Sequence, residues 1–256
     1  MTTLAGLCTM VGSFLVLFTK KTSTRVLSVS LGFSAGVMVY VSFMELLPEA
    51  RLRLVTHFGT QAGSWYAVAA FFGGVLLIGI IDKMVPAIEN PHETHAAKEL
   101  KDKKNIDLLR MGTFTALAIA IHNFPEGMAT FTATLKDGTL GLFIALAIAI
   151  HNVPEGIAVA VPIYHATGSK RKALWYSFLS GVAEPLGAVA AYLLFHDYLT
   201  EAVFGILLAA VAGIMVFISF DELFPTAREC GQHHLAIYGL LAGMAVMAVS
   251  MLMFVK

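Results

Sequence analysis

Apolar positions in this chain are not spread at helical or strand intervals through a polar background. They gather into runs of about 20 residues, the length at which an α-helix crosses a bilayer. Eight such runs occur, with approximate limits 2–19, 26–48, 64–82, 111–134, 139–163, 173–195, 202–224 and 235–255. The pattern predicts an all-α integral membrane protein of eight transmembrane helices forming a single domain over 1–256. The first run resembles the apolar segment of a secretory signal. No basic segment precedes it, however, and Lys20 and Lys21 follow where a cleavage site would lie, so it is retained as a span. The one long break, about 83–110, mixes charges and contains Pro86, Pro91, His92 and His95. It reads as a flexible connector with a short helix near 96–104.

Composition narrows the class further. Hydrophobic residues make up 57% and charged residues 13%, against roughly 25% charged in soluble domains. Basic and acidic residues balance at 17 each, leaving no surplus for nucleic acid. Two cysteines, Cys8 and Cys230, cannot build a disulfide framework. A soluble enzyme, a nucleic-acid-binding module and a disulfide scaffold are excluded, and the partner is the lipid bilayer. Orientation follows from the basic residues. Thirteen fall after the odd-numbered spans: Lys20, Lys21, Arg25, Lys83, Lys98, Lys101, Lys103, Lys104, Arg110, Lys170, Arg171, Lys172 and Arg228. Arg51, Arg53, Lys136 and Lys256 fall on the other side. That bias puts the odd-numbered connections in the cytoplasm and both termini outside.

Two internal repeats organise the spans. Residues 116–127 read ALAIAIHNFPEG and residues 145–156 read ALAIAIHNVPEG, in adjacent spans 4 and 5. Far apart, GVMVYVSFMELLPEAR (36–51, span 2) matches GIMVFISFDELFPTAR (213–228, span 7). Five spans separate the second pair, so its copies run in opposite directions. Spans 1–3 and 6–8 therefore read as inverted repeats around spans 4 and 5, a 3+2+3 arrangement of the kind that places a transporter's ligand site near the midplane.

That midplane is polar here. Span 4 carries His122, Asn123 and Glu126, and span 5 carries His151, Asn152 and Glu155, deep inside their helices. Histidine and glutamate four residues apart share a helix face, with asparagine about 100° around it. Pro125 and Pro154 precede the glutamates and remove a backbone donor, freeing the carbonyls of Ile121 and Ile150. Span 6 adds Glu184. An ionised acid at such depth costs several kcal/mol, and spans 4 and 5 hold no lysine or arginine at that level to offset it. Carboxylates without a countercharge call for a cation. Imidazole, amide and carboxylate donors suit a borderline divalent ion such as Zn2+, Fe2+, Mn2+, Co2+ or Cd2+, whereas Cu(I), Ca2+ and Mg2+ prefer other donor sets. The donors are numerous for one tetrahedral ion. Two adjacent ions fit, one on the His/Glu face and one on the Asn/Glu184 face.

HNFPEG followed by HNVPEGIAVAVP resembles the paired signature of the ZIP family of divalent-metal transporters. The eight spans, the outward termini and the loop after span 3 fit that family too. A short chain with no extracellular domain is similar to its bacterial zinc-uptake branch. The resemblance implies a binuclear centre from Asn123, Glu126, His151, Asn152, Glu155 and Glu184, with His122 alongside. It also implies uptake into the cytoplasm across the bacterial inner membrane, zinc and iron as prominent cargo, alternating access, and a homodimer among its assemblies. The family's cytoplasmic loop is often histidine-rich. Here only His92 and His95 are present, which argues against a metal sensor in that loop.

Weaker candidates sit at the span ends. Glu45 falls toward the outer mouth, and its repeat partner Glu222, with Asp221 beside it, toward the inner one. They are candidate carboxylates for the arriving and departing ion, although acids at helix ends commonly just reach interfacial water. No phosphate-cradling loop is present, so ATP is not expected, and neither is a catalytic cofactor. The expected function is secondary import of divalent metal ions. A selective metal channel is the alternative, and more distantly an intramembrane metal hydrolase, whose usual H-E-x-x-H does not occur in these repeats.

Overall fold

The computed structural model describes residues 1–14, 18, 23–84, 97–136, 138–195, 200–230 and 233–254, and among them every regular element is helical. Lys20, Lys21, Pro86, Pro91, His92, His95 and Lys256 lie outside the described residues. The helices are α1 (Thr2–Ser13), α2 (Thr24–Val41), α3 (Leu47–Phe58), α4 (Thr60–Met84), α5 (Ala97–Lys136), α6 (Gly138–Thr167), α7 (Lys170–Ala190), α8 (Glu201–Phe217), α9 (Phe224–Cys230) and α10 (His233–Phe254). Among the described residues, five uninterrupted helical stretches are long and apolar enough to cross a membrane: Thr24–Phe58, Thr60–Met84, Ile144–Thr167, Glu201–Glu229 and His234–Leu252.

Helix ends follow local chemistry. The hydroxyls of Ser23, Ser169 and Thr200 accept from the amides of Val26, Lys172 and Val203, each at 3.3 Å, and so cap α2, α7 and α8. Gly59, at φ 81°, reverses the chain between α3 and α4, a backbone shape that glycine takes without a Cβ penalty.

Two helices extend beyond their apolar runs. The second run ends near 48, yet the helix continues to Phe58. Its polar extension is held by Arg53, which bonds Glu49 one turn back at 2.7 Å and also pairs with Glu201 at the start of α8. The short helix expected near 96–104 is the first part of the 40-residue α5, because no proline or glycine interrupts the chain between Ala97 and Met111.

The long repeat has a structural counterpart. Each copy passes through a π-helical turn, Ser42–Leu46 in one and Ile218–Leu223 in the other. Each turn is followed by a proline, Pro48 or Pro225, that cannot donate to the ladder. In both, the serine at the turn (Ser42, Ser219) donates to the carbonyl four residues back (Met38, Met215) at 2.7 Å.

Packing divides the helices into two groups. In one, α5 lies along α6 and α7, and α1 lies along α6 and α7. In the other, α2 lies along α10, α4 along α8, α3 against α4 and α8, and α9 against α10 and α2. The groups meet where α2 crosses α6 and α8 touches α5, and there the Ser34 hydroxyl donates to the Pro154 carbonyl at 2.7 Å. Exchanging α1 with α7, α2–α3 with α8–α9, α4 with α10 and α5 with α6 leaves this list of partners unchanged.

Within the first group the helices touch backbone to backbone through glycine. A β carbon on Gly6 would strike the Gly181 carbonyl, and one on Gly181 would strike that of Gly6. Gly181→Ala is therefore expected to lower stability by about 1–3 kcal/mol, the usual cost of overpacking. Gly73→Ala, where nothing stands within 4 Å of the added carbon, is expected to be neutral. Thermal unfolding of the two variants in detergent measures the contrast.

Candidate metal centre

Because His122 and Glu126 stand one turn apart on α5, and His151 and Glu155 one turn apart on α6, each helix offers an imidazole and a carboxylate from one face. The two helices are consecutive, packed side by side and opposed in direction, so the faces meet crosswise. His151 Nε2 hydrogen-bonds Glu126 Oε1 at 3.0 Å. His122 Nε2 lies 3.0 Å from Glu155 Oε1 and 3.3 Å from Glu126 Oε1. Those two contacts are close but misaligned for hydrogen bonds, so they are Coulombic in character. The imidazole centroids are 6.2 Å apart. One ligand atom each from His122, His151 and Glu155 falls within a 4.8 Å group.

The asparagines face the adjoining helices. Asn123 donates its amide to the Ser180 carbonyl on α7 at 3.1 Å. Asn152 donates to the Ala5 carbonyl on α1 at 2.8 Å and to Glu184 Oε2 at 2.9 Å. A carbonyl oxygen only accepts, so the amide atom facing it is the NH2 nitrogen, and these bonds fix which side-chain atom is oxygen. The Oδ1 atoms of both asparagines are left without a partner, as are Glu126 Oε2, Glu155 Oε2 and Glu184 Oε1. All seven predicted residues are brought together by the fold, and none is more than 3% exposed. Leaving buried oxygens unpaired costs roughly 1–3 kcal/mol each, more when charged. A divalent ion coordinated by these oxygens and the imidazoles would remove that cost, and the donor set suits zinc or a neighbouring transition metal.

The outlying carboxylates divide. Glu45, in the Ser42–Leu46 turn, has one buried oxygen without a partner and lies within electrostatic reach of His151 and Glu126. It sits closer to the centre than its position near the end of an apolar run suggests. Glu222 and Asp221, in the Ile218–Leu223 turn, do not join the central cluster. They meet Asp82 of α4, and one oxygen from each of the three lies within 4.8 Å of the others. Asp82 is absent from the sequence-derived candidates because it stands beside Lys83 at the end of an apolar run and reads as a boundary residue. Its partner Arg110, on α5, donates to Asp82 Oδ1 at 2.8 Å and to its carbonyl at 3.2 Å.

The profile of the family described as ZIP zinc transporter matches residues 1–107 and 88–251. Among curated proteins, the zinc transporter ZupT of Streptococcus mutans is 57% identical over 255 residues, covering 100% of this chain and 96% of its own length. The chain belongs to the ZIP family. The ZupT proteins of Clostridium perfringens and Chlorobium phaeovibrioides are 54% and 59% identical, covering 100% and 99% of this chain and 95% and 96% of their own lengths. Family membership and the five long apolar helices place the chain among membrane-embedded metal transporters.

The geometry separates the two acidic clusters. Asp82→Asn, with Asp221→Asn and Glu222→Gln beside it, is expected to slow zinc flux while leaving zinc affinity at the central cluster within about twofold, since these residues lie outside it. Parallel flux and equilibrium-binding measurements test this.

Proposed function

We propose that this chain is a secondary transporter that imports divalent metal ions into the cytoplasm by alternating access, through a binuclear site on α5, α6 and α7. The observation that carries the reading is the convergence of three carboxylates, two imidazoles and two asparagine oxygens in one buried cluster, six of whose oxygens make no hydrogen bond. Zinc is the leading cargo, because the curated relatives are named zinc transporters. Iron, manganese, cobalt and cadmium follow from the donor chemistry.

In this reading the chain crosses the bacterial inner membrane eight times in a 3+2+3 order, with both termini outside. α1, α5 and α7 supply the remaining three spans, α1 being described over 12 residues. An arriving ion first meets Glu45, which lies near enough to His151 and Glu126 for their charges to interact. It exchanges water for one imidazole and the carboxylates of Glu126 and Glu155, which bridge to the second ion. The Asn123 and Asn152 oxygens and Glu184 complete the other side. Release proceeds toward Asp82, Asp221 and Glu222, which offer oxygen ligands at the other π-helical turn. Arg110 pairs with Asp82 there at 2.8 Å.

The two helix groups supply the moving parts. The metal ligands other than Glu45 and the departing cluster belong to α5, α6 and α7, so rocking this group against the other would carry the site from one face to the other. A membrane potential, negative inside, contributes about 4.6 kcal/mol per 100 mV for a bare divalent charge. Neither repeat contains the residue order of a hydrolytic metal site, and the function is transport without catalysis.

Zinc uptake into vesicles reconstituted with purified protein tests the reading. Wild type is expected to give saturable uptake, and Glu126→Ala and Glu155→Ala are each expected to reduce it at least tenfold. Undiminished uptake in both variants overturns the site, and flux that fails to saturate overturns the carrier in favour of a channel.

A further inference from the structure

The repeat relating α1 to α7 sets a threonine against a glutamate. Residues 6–12 read GLCTMVG and residues 181–187 read GVAEPLG, so Thr9 stands at the position of Glu184. The packing follows the same correspondence. Gly6 and Gly181 abut each other's carbonyls, Gly12 abuts the carbonyl of Val153, and Gly187 abuts that of Phe124, each the residue before a motif proline. Gly127 abuts the carbonyl of Glu184, and Gly156 abuts that of Thr9. Asn152 donates to Ala5 and Asn123 to Ser180, the residues just before Gly6 and Gly181. A β carbon on Gly6 would lie 3.3 Å from Glu184 Oε2, and one on Gly181 would lie 3.4 Å from Thr9 Cβ. Thr9 thus bears to Asn123 the relation that Glu184 bears to Asn152.

Its hydroxyl is fully buried and unpartnered. A helical threonine readily satisfies that group by donating to the carbonyl four residues back. Thr132, Thr134 and Thr167 do so at 2.7–2.8 Å. Thr9 does not. The Asn123 Oδ1 atom, on the same side of the cluster, is unpartnered as well.

We propose that Thr9 supplies a neutral oxygen ligand to the ion on the Asn/Glu184 face, standing on the Asn123 side where Glu184 stands on the Asn152 side. This rests on the binuclear reading above. A carboxylate at both positions would add a further negative charge and hold the ion more tightly. A hydroxyl adds a donor without that charge and so favours release.

The test is zinc titration of the purified full-length protein, resolving the two ions, together with uptake in vesicles. Thr9→Val keeps the shape and removes the oxygen, and it is expected to weaken one of the two bound ions about tenfold while sparing the other. Thr9→Ser is expected to restore wild-type binding. Thr9→Val binding both ions as wild type does, or Thr9→Ser behaving like Thr9→Val, overturns the proposal. Wild type that binds only one zinc ion instead removes the binuclear reading, a result visible before any Thr9 variant is made.

Discussion

Carboxylates removed from water without a fixed countercharge are the constraint around which this molecule is arranged. Glu126, Glu155 and Glu184 are at most 3% exposed. Among the described residues, the only nearby groups able to take positive charge are two imidazoles, one of them hydrogen-bonded to Glu126. Such a cluster is costly in a low-dielectric interior unless something neutralises it. Backbone carbonyls of Ala5 and Ser180 hold the asparagine amides and leave their oxygens unpaired. In the proposed reading the site is therefore preorganised for a ligand that accepts lone pairs and brings positive charge, the chemical definition of a metal cation. Buried polar groups that satisfied one another would be a stabilising core. These satisfy one another only in part, and the remainder is the binding capacity.

The surrounding helices bury that cluster. Glycine contacts bring α1, α5, α6 and α7 together at backbone distance. The contacts of these four helices with the second group are fewer and include single polar links, Ser34 to Pro154 and Arg110 to Asp82. Arg110 gives the Asp82, Asp221 and Glu222 cluster a resident countercharge, so that cluster, unlike the central one, is not left uncompensated. The π-helical turns at Ser42–Leu46 and Ile218–Leu223 put Glu45 and Glu222 at corresponding places on opposite arms of the repeat. The proposed route for the ion thus has a carboxylate at each end.

Much of this was legible in the chain, because membrane insertion and duplication leave strong marks. Runs of apolar residues announce helices, since hydrocarbon tolerates no unsatisfied backbone. A motif written twice in neighbouring helices announces that His122, Glu126, His151 and Glu155 share a depth. Helix limits were less legible. The apolar run near 26–48 marks where lipid contact stops, whereas the helix continues to Phe58 because polar side chains can pair along it and at its end. Asp82 was invisible for a related reason. An acid beside a lysine at the end of an apolar run looks like an interface anchor until the fold brings it to Asp221 and Glu222.

Sequence by itself determined the helical class, the membrane setting, the duplicated motif and its chemistry, because each depends on residue type and local spacing. Only the tertiary structure decided that each histidine faces the glutamate of the other helix, that the asparagine oxygens are left free, and that Thr9 takes the place of Glu184 across the repeat. It also decided that Asp82 joins Asp221 and Glu222 and that Arg110 pairs with it. These are relations between segments as much as 175 residues apart. They are set by which glycines let two backbones touch, a property of the packed helices that no single stretch of the chain contains.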